Sequence, residues 1–155
     1  MTHAWVAEPG DAPAVTELML AFRDHLGSPS PDAHDARASV QRILADPDAE
    51  FLLACGDERG APAGVLQLRF RWSFWTSAPD AWLEDLFVLS AARRSGLGDA
   101  LVGLAIARAR ERGAARIELD CFEDNAPALA LYERNGFDTR SKGHARSLLL
   151  GRQLQ

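Results

Sequence analysis

The sequence predicts an α/β fold whose helices and strands follow one another in the order βααβββαβαββ. Two observations predict this order: some segments carry apolar residues at helical spacing, and the segments between them show strand alternation or short apolar runs. The length of 155 residues suits one domain that can bury a core, so we predict a single domain over residues 1–155. Hydrophobic residues make up 47% and charged residues 25% of the chain, which is typical of a globular protein.

The charge and the metal-binding residue types exclude several classes of function. A net charge of −5 argues against a general nucleic-acid binder. Cys55 and Cys121 form no metal-ligand or disulfide pattern and the four histidines are scattered, so we predict no metal site. No apolar segment is long enough to cross a membrane, and no signal peptide is apparent. We expect a cytoplasmic protein that binds neither membrane nor nucleic acid.

The first third of the chain is predicted to form a strand and two helices. Residues 5–8 form the strand, and Asp11 then caps a helix that carries Pro13 in its first turn. Apolar residues follow at helical spacing: Val15, Leu18, Met19, Phe22 and Leu26. After a loop rich in glycine, serine and proline, the second helix is predicted over residues 35–45.

Three strands are predicted in the middle of the chain. Residues 51–55 are an apolar run, and residues 66–74 alternate between apolar and polar side chains. This alternation places Trp72 in the core. A turn then leads into a third strand over residues 82–89.

The second half begins with the strongest helical pattern, residues 97–112, which Gly113 ends at a C-cap position. Asn125 and Pro127 mark the start of another helix. The remaining elements are a strand, that short helix and a closing hairpin, at residues 117–121, 128–135, 137–140 and 147–150.

A basic loop with two glycines joins the third middle strand to the long helix. It reads Arg93-Arg94-Ser95-Gly96-Leu97-Gly98. The first N–H groups of a helix lack internal partners and carry partial positive charge. Glycines allow a ligand to approach the backbone, and the arginines add full positive charge. This combination predicts a site for a phosphate or pyrophosphate, although the segment is neither a Walker loop nor a dinucleotide fingerprint.

Three segments resemble the GNAT superfamily of N-acetyltransferases. The loop from Arg93 to Gly98 is similar to their R-x-x-G-x-G loop, which binds the pyrophosphate of acetyl-CoA. The string Leu-Glu-Asp-Leu-Phe-Val at 83–88 resembles their fourth strand and looks most like the diamine (spermidine/spermine) and thialysine acetyltransferase group. The segment from Asn125 through Tyr132 to Phe137 resembles the one after their fifth strand. The resemblance implies the GNAT fold, a mixed, mostly antiparallel central sheet with helices on both faces.

The same resemblance implies an acetyl-CoA-dependent N-acetyltransferase that acts on a primary amine of a small molecule, amino-acid-like or a diamine. The backbone of residues 86–88 would pair with the pantetheine arm, as an added strand does, which requires the strand at 117–121 to splay away. The residues that the resemblance places against acetyl-CoA, the cosubstrate, are Leu86, Phe87, Val88, Arg93, Arg94, Ser95, Gly96, Leu97, Gly98, Asp99, Asn125, Ala128 and Tyr132.

Two residues are predicted to be catalytic. An alkylamine has a pKa of about 10.4, so the site must remove a proton from it. Glu84 is the candidate general base, since strand alternation puts it on one face with Leu86 and Val88; the alternative is a sheet-edge or capping glutamate. The resemblance assigns Tyr132 a hydrogen bond to the departing CoA thiolate, and the alternative is a packing role. Asp85 points to the other face and receives no catalytic role.

The acceptor is less defined by the sequence. The basic run Lys142, His144 and Arg146 contrasts with the carboxylate pair Glu84 and Asp85, and a site with both signs suits a compact zwitterion better than a long polyamine. Alternative acceptors are a protein N-terminus, a lysine or an antibiotic amine. A non-catalytic module that binds acetyl-CoA is the alternative from another class, and a homodimer is possible.

Overall fold

The computed structural model describes residues 1–139 and 147–155. Its five strands are β1 His3–Val6, β2 Ala49–Cys55, β3 Gly64–Ser73, β4 Ala78–Val88 and β5 Arg116–Glu118. Its four α-helices are α1 Ala12–His25, α2 Ala33–Leu44, α3 Leu97–Glu111 and α4 Ala126–Arg134. None of the helices in these two ranges is long and apolar enough to span a membrane.

The strands form one mixed sheet in the order β1-β2-β3-β4-β5. The first three pairings are antiparallel, and β4 pairs with β5 in parallel. The parallel pairing needs a crossover, which α3 provides between the two strands. The predicted α/β class and mixed sheet are therefore confirmed.

Helices cover both faces of the sheet and create two apolar clusters. Beneath α3 and α4, the central residues are Leu66, Leu101 and Val102, all fully buried. Beneath α1 and α2, the cluster includes Val15 and Phe51. Because both faces are covered, the middle strands are buried on both sides.

The predicted C-terminal hairpin is not observed. Residues 137–139 and 147–150 have no strand structure, and residues 140–146 lie outside the described ranges. Leu148, Leu149 and Leu150 are exposed. The neighbouring strand β5 is only three residues long, so it offers a short edge for further strands to pair with.

Trp72 is exposed, and its predicted place in the core is wrong. Its side chain follows the alternation of Leu68 and Phe70 but is 71% accessible to solvent. Phe70 is the last residue of this face to be covered, by the guanidinium of Arg112 at 4.0 Å from its ring centroid. Since α3 ends at Glu111, the end of the β3–β4 hairpin projects beyond the helix layer.

A buried carboxylate ties the C-terminal end of α3 to β2. Glu50, in β2, accepts hydrogen bonds from Arg108 Nε at 3.0 Å and Nη2 at 2.6 Å. Arg112 Nη1 adds a third contact at 3.4 Å. The Glu50 side chain is 9% exposed, so these charge-assisted bonds lie in a setting with little water. They fix the position of the helix at the end opposite its N-terminus.

Candidate active site

Strands β4 and β5 part after three paired residues. Their pairing runs from Asp80 with Arg116 to Trp82 with Glu118 and stops there. The amide of Leu89 donates to the carbonyl of Ala63 in the segment before β3, at 2.9 Å. Backbone direction alternates along a strand, so Leu86 and Val88 turn their N–H and C=O groups to the opposite, parted edge. The splay that the resemblance implies is therefore present.

A β-bulge lies at the point of parting. Gln67 pairs with Asp85 and Leu68 pairs with Leu83, which leaves Glu84 without a partner on β3. Bulges bend a strand and re-aim its side chains. This bulge places an unpaired residue of β4 beside the gap.

The bulge corrects the predicted face of Glu84. Leu83 and Leu86 both pack beneath α3, although a regular strand would place residues three apart on opposite faces. The alternation therefore slips by one residue between Leu83 and Leu86, so it no longer places Glu84 on one face with Leu86 and Val88, and Glu84 is exposed. Its proposed role as a base remains a prediction.

The loop before α3 holds a series of free backbone amides. Among the described residues, no acceptor binds the N–H groups from Ser95 to Gly98. Gly96, the N-cap, has φ +86°, and Arg94 has φ +63°. Left-handed residues in such a loop turn successive N–H groups toward one concave side, which suits an anion. The helix dipole of α3 adds to this field.

The two arginines of the loop differ in their contacts. Arg93 donates from Nε to the carbonyl of Val88 at 3.1 Å, and its guanidinium lies 5.9 Å from the ring centroid of Phe87. Arg94 is exposed and makes no hydrogen bond or ion pair with the rest of the described chain. Arg93 thus fastens the loop to the end of β4, and Arg94 is the arginine whose charge is free for a ligand.

Gly98 serves helix packing as well as any ligand approach. A Cβ at this position would lie 3.1 Å from Leu131 Cδ2 of α4. By contrast, a Cβ on Gly96 would meet nothing nearer than Thr2 Cγ2 at 3.7 Å, so Gly96 is required for its backbone angle alone. The carboxylate of Asp99, also in the first turn of α3, is bound by Arg134, whose hydrogen bonds are the main cause that lowers the Asp99 pKa.

Helix α4 begins and ends with residues of the predicted site. The Asn125 side chain accepts from the Ala128 amide at 3.3 Å, which confirms it as an N-cap. Seven residues later, Tyr132 lies half-buried with its ring 5.8 Å from that of Phe137, in an edge-to-face contact. The contacts of Asn125, Ala128 and Tyr132 with acetyl-CoA stay predictions.

Burial is the largest cause that raises the pKa of Tyr132, to about 12, and the nearby acidic groups Cys121, Asp120 and Asp85 add to it. The phenol is therefore protonated at neutral pH and is able to donate a hydrogen bond. Burial likewise raises the pKa of the Cys121 thiol, followed by Asp120 and Asp124. A thiol with a raised pKa is a poor nucleophile at neutral pH.

Asp85, to which the sequence assigns no catalytic role, is partly buried and hydrogen-bonded. Gln67, in the amide orientation that its neighbours dictate, donates to Asp85 Oδ2 at 3.2 Å and accepts from Arg69 Nε at 3.1 Å. Burial raises the pKa of Asp85, with a further contribution from the charge of Glu84. The only sequence signal was the adjacent carboxylate pair. The basic run Lys142, His144 and Arg146 lies outside the described residues.

Comparison with known proteins agrees with this geometry. The model of the acetyltransferase (GNAT) family matches residues 14–137. The uncharacterised N-acetyltransferase YhfO of Bacillus subtilis strain 168 is 31% identical over 132 residues, which cover 85% of this chain and 87% of the relative. Aminoglycoside N(6')-acetyltransferase type 1 of Stenotrophomonas maltophilia is 29% identical over 135 residues, with 85% and 83% covered.

A solved structure from Arthrobacter sp. FB24, provisionally named an acetyltransferase, matches with a TM-score of 0.86. It is 29% identical to this chain, and the match covers 98% of this chain and 96% of the other. The parted strands, the amide loop and the family match agree with one another. The chain therefore belongs to the acetyltransferase (GNAT) family and is an N-acetyltransferase.

Proposed function

We propose that this enzyme transfers the acetyl group of acetyl-CoA to a primary amine of a small molecule by direct attack on the thioester. The observation that carries the proposal is the parted edge of β4 at Leu86 and at the N–H of Val88, whose carbonyl Arg93 of the following loop binds; the free amides of the α3 loop come directly after. An extended arm with amide groups can pair with such an edge, and a pyrophosphate fits a series of N–H groups at a helix start. The residues present therefore fit acetyl-CoA.

In this reaction the side chains of the protein chiefly accept a proton and stabilise developing charge. The acceptor reaches the site as an ammonium ion, and Glu84 removes one proton, directly or through water. The amine nitrogen then forms a bond to the acetyl carbonyl carbon while the carbon–sulfur bond breaks. The second proton leaves the nitrogen, and the CoA thiolate takes up one in exchange. Tyr132 donates a hydrogen bond to the developing thiolate, which stabilises its charge in a partly buried setting.

A small-molecule acceptor is supported by two further points. The fourth-strand string that resembles the diamine and thialysine acetyltransferases, residues 83–88, is the part of β4 that borders the gap. The Stenotrophomonas relative is named for the acetylation of an aminoglycoside, also an amine of low molecular weight. These points favour small amines over protein acceptors.

The test is release of free CoA thiol across a panel of alkylamines, amino acids, polyamines, aminoglycosides and an N-terminal peptide, with acetyl-CoA affinity measured by calorimetry. We expect binding of acetyl-CoA and turnover with at least one small amine. Binding without turnover on any acceptor would indicate a module that senses the cosubstrate. Absence of acetyl-CoA binding would refute the proposal, and turnover of the peptide alone would move the acceptor to proteins.

A further inference from the structure

A cavity of about 240 Å³ lies between α1 and α2 on the face of the sheet opposite α3. Its walls are mostly apolar and include Met19, Phe22, Val40, Ile43 and Phe51. The loop that joins the two helices closes one side through Ser30 and Pro31. The cavity is therefore mostly apolar and has room for a compact molecule.

One carboxylate, that of Asp85, joins the lining of this cavity from β4. Asp85 follows the bulge at Glu84 and lies where β4 has already parted from β5. Its charge also contributes, as the last of several causes, to raising the pKa of Tyr132. Asp85 therefore lines the cavity from the stretch of β4 that has parted from β5, where the proposed reaction places the acetyl group.

The lining charges restrict what the cavity can hold. Among the residues that the structure describes, the cavity has one other charged lining residue besides Asp85, Arg23, which is bound to Asp24 Oδ1 and to the carbonyl of Pro31. A second ammonium group on a ligand would lie against apolar walls or Arg23, where its desolvation has no compensation. The volume is also below the roughly 300–1,000 Å³ typical of pockets for drug-sized ligands.

We propose that the cavity between α1 and α2 is the acceptor pocket, and that Asp85 binds the ammonium group of a compact acceptor with one positive charge and an apolar body. This inference rests on the proposed acetyl transfer and names the acceptor class for it. Asp85 holds the nitrogen at the gap, and Glu84 takes its proton. Long polyamines and multi-ring aminoglycosides do not fit this arrangement.

The experiment compares benzylamine, spermidine and kanamycin as acceptors for the enzyme and three variants. Asp85→Asn keeps the side-chain shape and removes the charge. Ser39→Phe places a bulky group on an exposed position of α2 that lines the cavity. Ala38→Phe is its matched control, because Ala38 is an exposed neighbour on the same helix that does not line the cavity.

Benzylamine should have the highest kcat/KM of the three probes. Asp85→Asn should lower that value by about ten- to a hundredfold, the range for a hydrogen bond to a charged group, largely through KM. Ser39→Phe should lower it as well, whereas Ala38→Phe should leave it unchanged. Calorimetry should show unchanged acetyl-CoA affinity in all variants, which also shows that each one folds.

Two results would overturn the inference: higher kcat/KM for spermidine or kanamycin, or benzylamine turnover that is insensitive to both Asp85→Asn and Ser39→Phe. If no amine is turned over, the proposed function fails, and the pocket is then judged by direct calorimetry of benzylamine. Binding that both substitutions weaken would support the pocket even without catalysis. Absence of benzylamine binding would refute the proposed acceptor pocket.

Discussion

Arg134 holds Asp99 through two parallel hydrogen bonds, from Nε to Oδ1 and from Nη2 to Oδ2, both 2.8 Å long. The pair joins the last turn of α4 to the first turn of α3, next to the free amides proposed to bind pyrophosphate. By itself, the negative charge of Asp99 would repel an anionic ligand bound at these amides. Arg134 offsets that charge.

Arg134→Ala should therefore weaken acetyl-CoA binding by about two- to fivefold, the size of a single charge effect at a helix terminus. Because both side chains are about half exposed, the effect should shrink at high salt. Calorimetry at low and high salt measures it. Arg110→Ala is the control, since Arg110 is exposed at the far end of α3. An equal loss in both variants would indicate only a change in net charge.

Two substitutions at Gly96 distinguish the effect of backbone strain from the effect of charge repulsion. Its φ of +86° disfavours any side chain, but a Cβ has room. Gly96→Ala should lower the free energy of unfolding by about 1–2 kcal/mol and keep measurable acetyl-CoA binding. Gly96→Glu should abolish binding because it adds bulk and like charge beside the phosphates. Urea denaturation and calorimetry give the two readouts, and unchanged affinity in Gly96→Glu would remove this loop from the site.

Glu84→Gln should lower turnover by about 10²–10⁴-fold, as expected for loss of a general base, with acetyl-CoA affinity kept. The loss should become smaller as the pH rises, since more of the amine is then already neutral. Steady-state kinetics between pH 7 and 9.5 measure both effects. Glu17→Gln, an exposed change on α1, should have no effect. Wild-type turnover of Glu84→Gln at neutral pH would exclude Glu84 as the base.

Tyr132→Phe should slow acetyl transfer more than it weakens acetyl-CoA binding. Burial raises the pKa of this phenol to about 12, so the wild-type rate should show no decline from Tyr132 ionisation below about pH 10. The effect of the substitution should be smaller with an acetyl thioester of a more acidic aromatic thiol. Single-turnover kinetics compare the donors. Equal losses with both donors would point to packing against Phe137 instead.

Asp85→Asn should increase stability while it impairs amine binding. Burial and the charge of Glu84 raise the pKa of Asp85 against the opposing effect of Arg69, and Asp120 contributes in the same direction as Glu84. The folded protein thus holds this proton more tightly than the unfolded chain does. Ionised Asp85 lowers the free energy of unfolding above its folded-state pKa, and this destabilisation disappears as the pH falls below the ordinary aspartate value.

Urea denaturation at pH 7.5 and at pH 4.5 measures the difference between Asp85→Asn and the wild type. We expect a more stable variant at pH 7.5 and a smaller gap at pH 4.5. Glu17→Gln provides the baseline for loss of an exposed carboxylate. A destabilised variant at pH 7.5 would mean that the hydrogen bond from Gln67 outweighs the burial of charge.

Local patterns predicted the five observed strands and the four helices, because each of these elements depends on residues that are near one another in the chain; the predicted closing hairpin is the exception. The long helix was predicted at residues 97–112 and is observed at Leu97–Glu111. The N-cap at Asn125 was also recognisable, since capping uses a single side chain and the next amides. The amide loop followed from the same logic of helix starts.

The predictions that failed concern features that depend on contacts between distant parts of the chain. The bulge at Glu84 depends on the register between β3 and β4, and the string Leu-Glu-Asp-Leu contains no mark of it. Trp72 follows the alternation, but its exposure is decided by where α3 ends. The role of Gly98 depends on Leu131, thirty-three positions later in the chain. The place of Asp85 in the lining of a cavity depends on how α1 and α2 pack over the sheet.

The anchoring of α3 by Glu50 has a consequence for the energetics of ligand capture. A helix that rocked on the sheet would have to be immobilised when the phosphates arrived, and that loss of freedom would subtract from affinity. Here the hydrogen bonds from Arg108 and Arg112 to Glu50 already hold the helix in the folded protein. The amides at the opposite end are thus preorganised before any ligand is present. A carboxylate in β2, remote in sequence from the loop, would thereby reduce the entropy lost when the proposed pyrophosphate site is filled.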